Sequence, residues 1–129
     1  MSKLKHTLVT QLASDQSLAA DFTSAPTVVR YLDNCSYQIN VNTSDSQGTF
    51  AVQVSNDYYV NEANGNVVVN PGNWTSLSLA GGTPSVNAEN DTIVINLNQL
   101  PFYAVRLAYF HTTAGTGTCS IYITDKALS

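Results

Sequence analysis

Charge is scarce in this chain. Only five of its 129 residues are basic (Lys3, Lys5, Arg30, Arg106 and Lys126) and nine are acidic, for a net charge of −4. Nucleic-acid binding needs basic side chains clustered on one face to neutralise phosphates, and this composition argues against it. Long apolar runs are also missing. None approaches the roughly eighteen residues that cross a bilayer, so no membrane span is expected. The N-terminal stretch MSKLKHTLVTQLASD has no continuous apolar segment of the kind a secretory signal carries, and export by that route is not expected.

The residues of catalysis are equally few. Histidine occurs only at His6 and His111, and cysteine only at Cys35 and Cys119. A nucleophilic triad needs a histidine oriented by a carboxylate beside an activated hydroxyl or thiol. No G-x-S-x-G turn is present. The cysteines fall in apparent strands, without a basic neighbour and without the spacing of a metal pair. They read as two small buried thiols, with a disulfide as the alternative. Asp57 with Glu62, or Asp33 with Asp91, could be set across a cleft as glycosidase carboxylates, but their spacing does not distinguish them from solvated loop acids. Asp45, Asp57, Asn61, Glu62 and Asn64 offer oxygen ligands without the order of a known calcium loop. The four N-x-S/T triplets at Asn34, Asn42, Asn73 and Asn90 are ordinary in a chain this rich in Asn, Ser and Thr. The expectation is a protein with no catalytic residue, no metal and no cofactor.

What the chain does have is alternation. Tyr37, Ile39 and Val41 alternate with Gln38, Asn40 and Asn42, and Phe50, Val52 and Val54 form a second such series. Joined by the loop 43–48, these two runs predict a β-hairpin. Further strands are expected at 7–12, 27–32, 67–69, 74–79, 92–97, 102–110 and 118–124, with Gly115-Thr-Gly117 as a hairpin turn between the last two. Eight or nine short strands with no convincing helix predict an all-β fold: an antiparallel two-sheet β-sandwich, jelly-roll or immunoglobulin-like. Residues 1–20 form an N-terminal arm or first strand, and 21–129 a single sandwich domain.

Two groups of residues stand out as binding candidates. Leu4, Leu8, Val9, Leu12 and Leu18 have no obvious place in a sandwich, and the segment, with Leu4, Leu8, Val9 and Leu12 as contacts, could dock on a partner by adding a strand to it. Tyr58, Tyr59 and Trp74 flank the irregular segment 56–73 and could stack on a sugar ring. The competing reading packs Trp74 at a strand start and lets a tyrosine cover the sandwich end.

The segment Gly48-Thr-Phe-Ala-Val-Gln-Val-Ser-Asn-Asp-Tyr58, then Gly72-Asn-Trp-Thr-Ser-Leu77, Val105-Arg-Leu-Ala-Tyr109, Gly115-Thr-Gly117 and Ile121-Tyr-Ile-Thr-Asp-Lys126 form a pattern. Over residues 22–126 it resembles small β-sandwich structural proteins of tailed bacteriophages, found among capsid decoration, head-fibre and tail accessory components. More distantly it is similar to discoidin-like sugar-binding sandwiches, in which a Trp follows Ser-x-Asp. Here Asp57 and Trp74 stand far apart, so no sugar site carries over. The resemblance implies a non-enzymatic virion protein that folds in the host cytoplasm. It most resembles a decoration protein bound to the major capsid protein lattice or to other virion proteins. Decoration proteins assemble as symmetric oligomers, and a trimer suits a three-fold capsid site. A carbohydrate-binding module is the alternative.

Overall fold

The computed structural model describes residues 5–29, 34–65, 67–79, 81–98 and 102–128. Twelve strands run in chain order: β1 (Lys5–Ser17), β2 (Phe22–Thr23), β3 (Thr27–Val28), β4 (Asn34–Asn42), β5 (Gln47–Ser55), β6 (Tyr59–Asn61), β7 (Val67–Asn70), β8 (Thr75–Ser76), β9 (Ser85–Asn87), β10 (Asp91–Asn98), β11 (Ala104–Thr113) and β12 (Thr118–Leu128). A single 3-10 turn, Glu62–Asn64, is the one helical element among the described residues. No helix there is long and apolar enough to cross a membrane.

Ten of the strands form two antiparallel sheets, and β6 and β7 form a third, small one. The first has the order β1-β12-β4-β10. The second has the order β2-β11-β5-β8, with β3 also on β11 and β9 also on β5. Two of its positions are each filled by a pair of short strands. Pro26 lacks an N–H and separates β2 from β3, while Ser24 between them keeps the ladder whole. Its backbone N–H donates to Leu107 O at 2.8 Å, and its Oγ accepts from Leu107 N–H at 2.9 Å. In the other position a loop separates β8 from β9, yet Leu77 N–H still donates to Val52 O and Pro84 O still accepts from Phe50 N–H. With each pair counted once, the orders are first-eighth-third-sixth and second-seventh-fourth-fifth. Every step along these eight positions except the fourth-to-fifth passes from one sheet to the other. Of the two sandwich topologies expected, this is the jelly-roll.

The alternation seen in the sequence sets the core. Cys35, Tyr37, Ile39 and Val41 on β4 meet Phe50, Val52 and Val54 on β5, with Val105, Leu107 and Tyr109 from β11 and Cys119, Ile121 and Ile123 from β12. Phe50 and Tyr109 pack with ring centroids 4.8 Å apart. Gly48 is required there, because a Cβ on it would collide with the Tyr109 ring.

The expected hairpin between 36–42 and 49–55 does not form. β4 pairs with β10 and β12, whereas β5 pairs with β11, β8 and β9. Likewise 114–117 does not close a hairpin, since β11 and β12 lie in different sheets. Both loops are arches that carry the chain across the core. Period-two alternation fixes which face of a strand is buried, but a hairpin and an arch bury the same residues. The N-terminal segment also differs from the short strand expected. Leu18 is fully buried in the core and Leu12 packs against it. β1 pairs with β12 along its length, with register shifts between Gln11 and Ala13 and between Ala13 and Gln16. The strand expected at 27–32 is seen only at β3, and 30–33 lie outside the described residues. The strand expected at 74–79 is only β8.

The two arches are locked to each other. Ser46 is fully buried; its hydroxyl donates to Ala114 O at 2.9 Å and accepts from Gly117 N–H at 2.9 Å. Thr43 Oγ1 accepts from Ser46 N–H at 2.9 Å, and Asp45 Oδ1 accepts from Thr116 N–H at 2.9 Å. A Cβ on Gly117 would strike Thr43, so the close approach depends on glycine. Removing the Ser46 hydroxyl leaves the buried Gly117 N–H and the Ala114 carbonyl without this partner. Ser46→Ala is therefore expected to cost about 1–3 kcal/mol, against no measurable change for Ser44→Ala on the exposed side of the same loop. Urea unfolding of the two variants checks this, and equal midpoints would remove the clasp as a stabilising element.

Candidate functional site

The segment 56–74 leaves the sandwich and returns. It begins where Ser55 ends β5. Ser55 Oγ accepts from Tyr58 N–H at 3.0 Å and donates to Asp57 Oδ1 at 2.7 Å. Asp57 in turn accepts from Asn73 N–H at 2.8 Å and from the Asn73 side-chain amide at 2.7 Å. The two ends of the excursion are thus fastened by one carboxylate. This repeats the device of the arches, where Thr43 and Asp45 hold Thr116. Between the ends, β6 and β7 form a two-stranded sheet. The Asn61 side chain accepts from Ala63 N–H at 3.1 Å, and Gly65 closes the turn at φ 74.

This small sheet sits against one end of the sandwich through a second apolar cluster. Tyr58, Val60 and Ala104 are buried in it, and Val28, Trp74 and Tyr103 pack around them. Tyr58 lies 5.5 Å from Trp74 and 6.5 Å from Tyr103, centroid to centroid. Trp74 is half-buried, and its indole N–H donates to Pro71 O at 2.9 Å. Arg106 covers the ring, its guanidinium carbon 4.5 Å from the centroid, a cation–π distance. The same Arg106 donates from Nε to Gln53 Oε1 at 2.8 Å across the β11–β5 register. Of the three aromatic candidates, then, Tyr58 is buried, Trp74 has its N–H and one face engaged, and only Tyr59 is exposed, at 48%. They do not form one open platform.

The N-terminal candidates divide differently. Leu4 lies outside the described residues. Leu8 is in β1 opposite Asp125, and Leu12 packs on the core. Val9 is 62% exposed. It lines an open depression of about 420 Å³ with Gln38, Asn40, Tyr122 and Thr124 on the outer face of the first sheet. β1 is also that sheet's edge strand. A polar cleft of about 510 Å³ opens at the arch end between Ser44, Glu89, Asn90, Thr116 and Thr118. Ala88 on its rim takes φ 58 and donates its N–H to Ser46 O.

The groups with chemical potential are scattered. His111 Nδ1 lies 2.6 Å from Asp21 Oδ1, which also accepts from His111 N–H at 2.9 Å. That backbone hydrogen bond, followed by the one to the ring, holds the Asp21 carboxyl below its ordinary range. The sequence reading missed this pair because ninety residues separate the two. Arg106 was missed as a partner of Trp74 for the same reason. Cys35 and Cys119 are free and buried. Cys119 pairs with Val41 and Cys35 with Asp125, so six residue steps along β4, roughly 20 Å of strand, separate the thiols. That is far beyond disulfide reach. Burial pushes both thiols up to about 12, at Cys35 with help from the Asp125 carboxylate. A thiol so shifted is a poor nucleophile. Among the described residues no three His, Cys, Asp or Glu side chains gather as metal ligands.

No protein-family model and no curated protein matches the chain. Among solved structures, SPBc2 prophage-derived protein YomS is similar with a TM-score of 0.56 at 7% identity, over 100% of this chain and 98% of that one. A structure of infectious bursal disease virus Gt strain matches at 0.44 and 10% identity, over 96% of this chain and 35% of that one. A structure described as "CBM4 structure and function" matches at 0.40 and 12% identity, over 95% and 71%. At such identities the likeness to the prophage-derived protein is one of fold. It agrees with the β-sandwich that the phage resemblance implied.

The clasp at Asp57 has a pH signature. The hydrogen bonds from Asn73 and Ser55 lower its carboxyl from the ordinary 3.8 to about 2. A carboxyl that gives up its proton more readily when folded stabilises the fold above its unfolded value, and that contribution fades as pH falls from about 4 to about 2. Urea midpoints measured across that range should fall less steeply in Asp57→Asn than in the unaltered chain. Parallel curves would show that the clasp contributes nothing.

Proposed function

We propose that this chain is a non-enzymatic structural protein of a phage virion, and within that class a decoration protein seated on the major capsid protein lattice. The observation that carries this reading is the match of the whole jelly-roll, end to end, with a prophage-derived protein of nearly the same extent. The chemistry of the chain supports it. Its thiols are buried and shifted away from reactivity, the carboxylates of Asp45 and Asp57 are held by loop hydrogen bonds, and the His111–Asp21 pair is exposed at a strand end. What remains for function is surface.

The docking face in this proposal is the N-terminal edge. Val9 and its depression face outward, and β1 offers an unpaired edge to which a capsid strand could add. Leu4, Leu8 and Leu12 belong to the same segment. Self-association as a trimer would place three such edges around a three-fold capsid site.

Mass spectrometry and cryo-EM of purified particles test the proposal. The protein should be present at a copy number commensurate with the capsid lattice. A handful of copies would move it to the tail or portal, and absence from particles would sink the virion reading. Titration of oligosaccharides against Trp74 fluorescence separates the sugar-binding alternative. No change is expected, because Trp74 is covered by Arg106 and Tyr58. Saturable quenching would favour that alternative.

A further inference from the structure

β7 breaks the rule that governs the long strands of the sandwich. In β4, β5, β10 and β11 one face packs inward. In β7 Val67, Val68 and Val69 are 57%, 51% and 61% exposed, so both faces of an apolar strand lie in solvent. β6 is held down through Val60, but β7 contributes nothing to that cluster. Among the described residues its one strand partner is β6, which leaves its far edge unpaired. A strand apolar on both faces is the pattern of one buried on both faces, and an open apolar edge is a template for another strand.

The sequence indicates which strand. Asn66-Val67-Val68-Val69-Asn70 reads the same in both directions. When two such strands run antiparallel about a two-fold axis at Val68, Val68 meets Val68 and Val67 meets Val69. Each valine finds a valine. A two-fold interface requires such self-complementarity, because the same patch serves both sides. Charge agrees. Residues 63–73 contain no ionisable side chain, so two copies of a chain carrying −4 can meet there without opposing like charges.

We infer that β7 is a self-association edge, and that a second copy of this chain pairs with it antiparallel about a two-fold axis through Val68, joining two small sheets into a four-stranded one. The contact is independent of the virion reading and of any three-fold assembly. Its failure would leave both where they stand.

The pairing makes a specific demand: residue 68 faces itself. Val68→Lys and Val68→Glu each place like charges on the axis. Each should weaken pairwise association at least about tenfold in Kd and halve the mass seen by light scattering at a concentration where the unaltered chain pairs. Mixed in equal amounts, the two variants should regain the full mass, since lysine then faces glutamate. Val94→Lys, an exposed valine on the first sheet, is the control and should leave association intact. Because Val68 is exposed, both variants should melt like the unaltered chain when dilute. An unaltered chain that shows no pairing, variants that pair as well as it does, or a mixture that stays unpaired would each overturn the inference.

Discussion

A jelly-roll makes one demand before any other: at nearly every turn the chain must leave one sheet and enter the opposite one. The backbone groups in those crossings belong to neither ladder, and where they are buried something else must bind them. Here the answer is a small set of hydroxyls placed at strand ends. Ser46, fully buried, joins the 43–46 arch to the 114–117 arch with one donated and one accepted hydrogen bond. Ser24 fills the gap that Pro26 opens beside β11. Ser55 turns the chain out of β5. In two of these places an aspartate two residues past a hydroxyl reaches across to a distant loop, Asp45 to Thr116 and Asp57 to Asn73. A chain with few charges uses its carboxylates here as acceptors for backbone and amide N–H groups.

That economy explains what the sequence could and could not reveal. The inward faces of β4, β5, β11 and β12 were legible, because burial on one face writes a period of two into the residues. Sheet membership was not legible. Tyr37 and Phe50 lie on consecutive alternating runs joined by a short polar loop, which is also how a hairpin reads. Only long-range pairing, β4 with β12 and β5 with β11, distinguishes an arch. The N-terminal leucines were ambiguous because β1 carries register shifts near Ala13, and a bulge breaks the alternation that would have identified the strand.

The aromatic segment shows the same limit at a candidate site. Tyr58, Tyr59 and Trp74 were visible as a group, but their environment was set by Arg106 and Tyr103, which lie on or just before β11. Once Arg106 covers the indole and Pro71 O takes its N–H, most of what a sugar would use is already engaged. The cluster then serves as an anchor: through Tyr58 and Val60 it fixes the β6–β7 sheet to the sandwich.

An anchor matters only for what it holds. A two-stranded ribbon is marginal in water by itself, and β7 adds no buried surface to this one. The Asp57–Asn73 clasp, the Asn61 cap and the Tyr58 cluster together hold in place a strand whose three valines face solvent on both sides. The interior of the sandwich is satisfied largely by its own residues, with the Tyr37 and Tyr109 hydroxyls and Asp125 Oδ1 among the buried exceptions. Exposed apolar side chains stand singly at Tyr59, Val94 and Phe110; others lie at β7 and, around Val9, on β1. β7 and β1 are strand edges. A partner strand at β1 and a second copy at β7, as proposed, would cover that surface by backbone pairing at open edges.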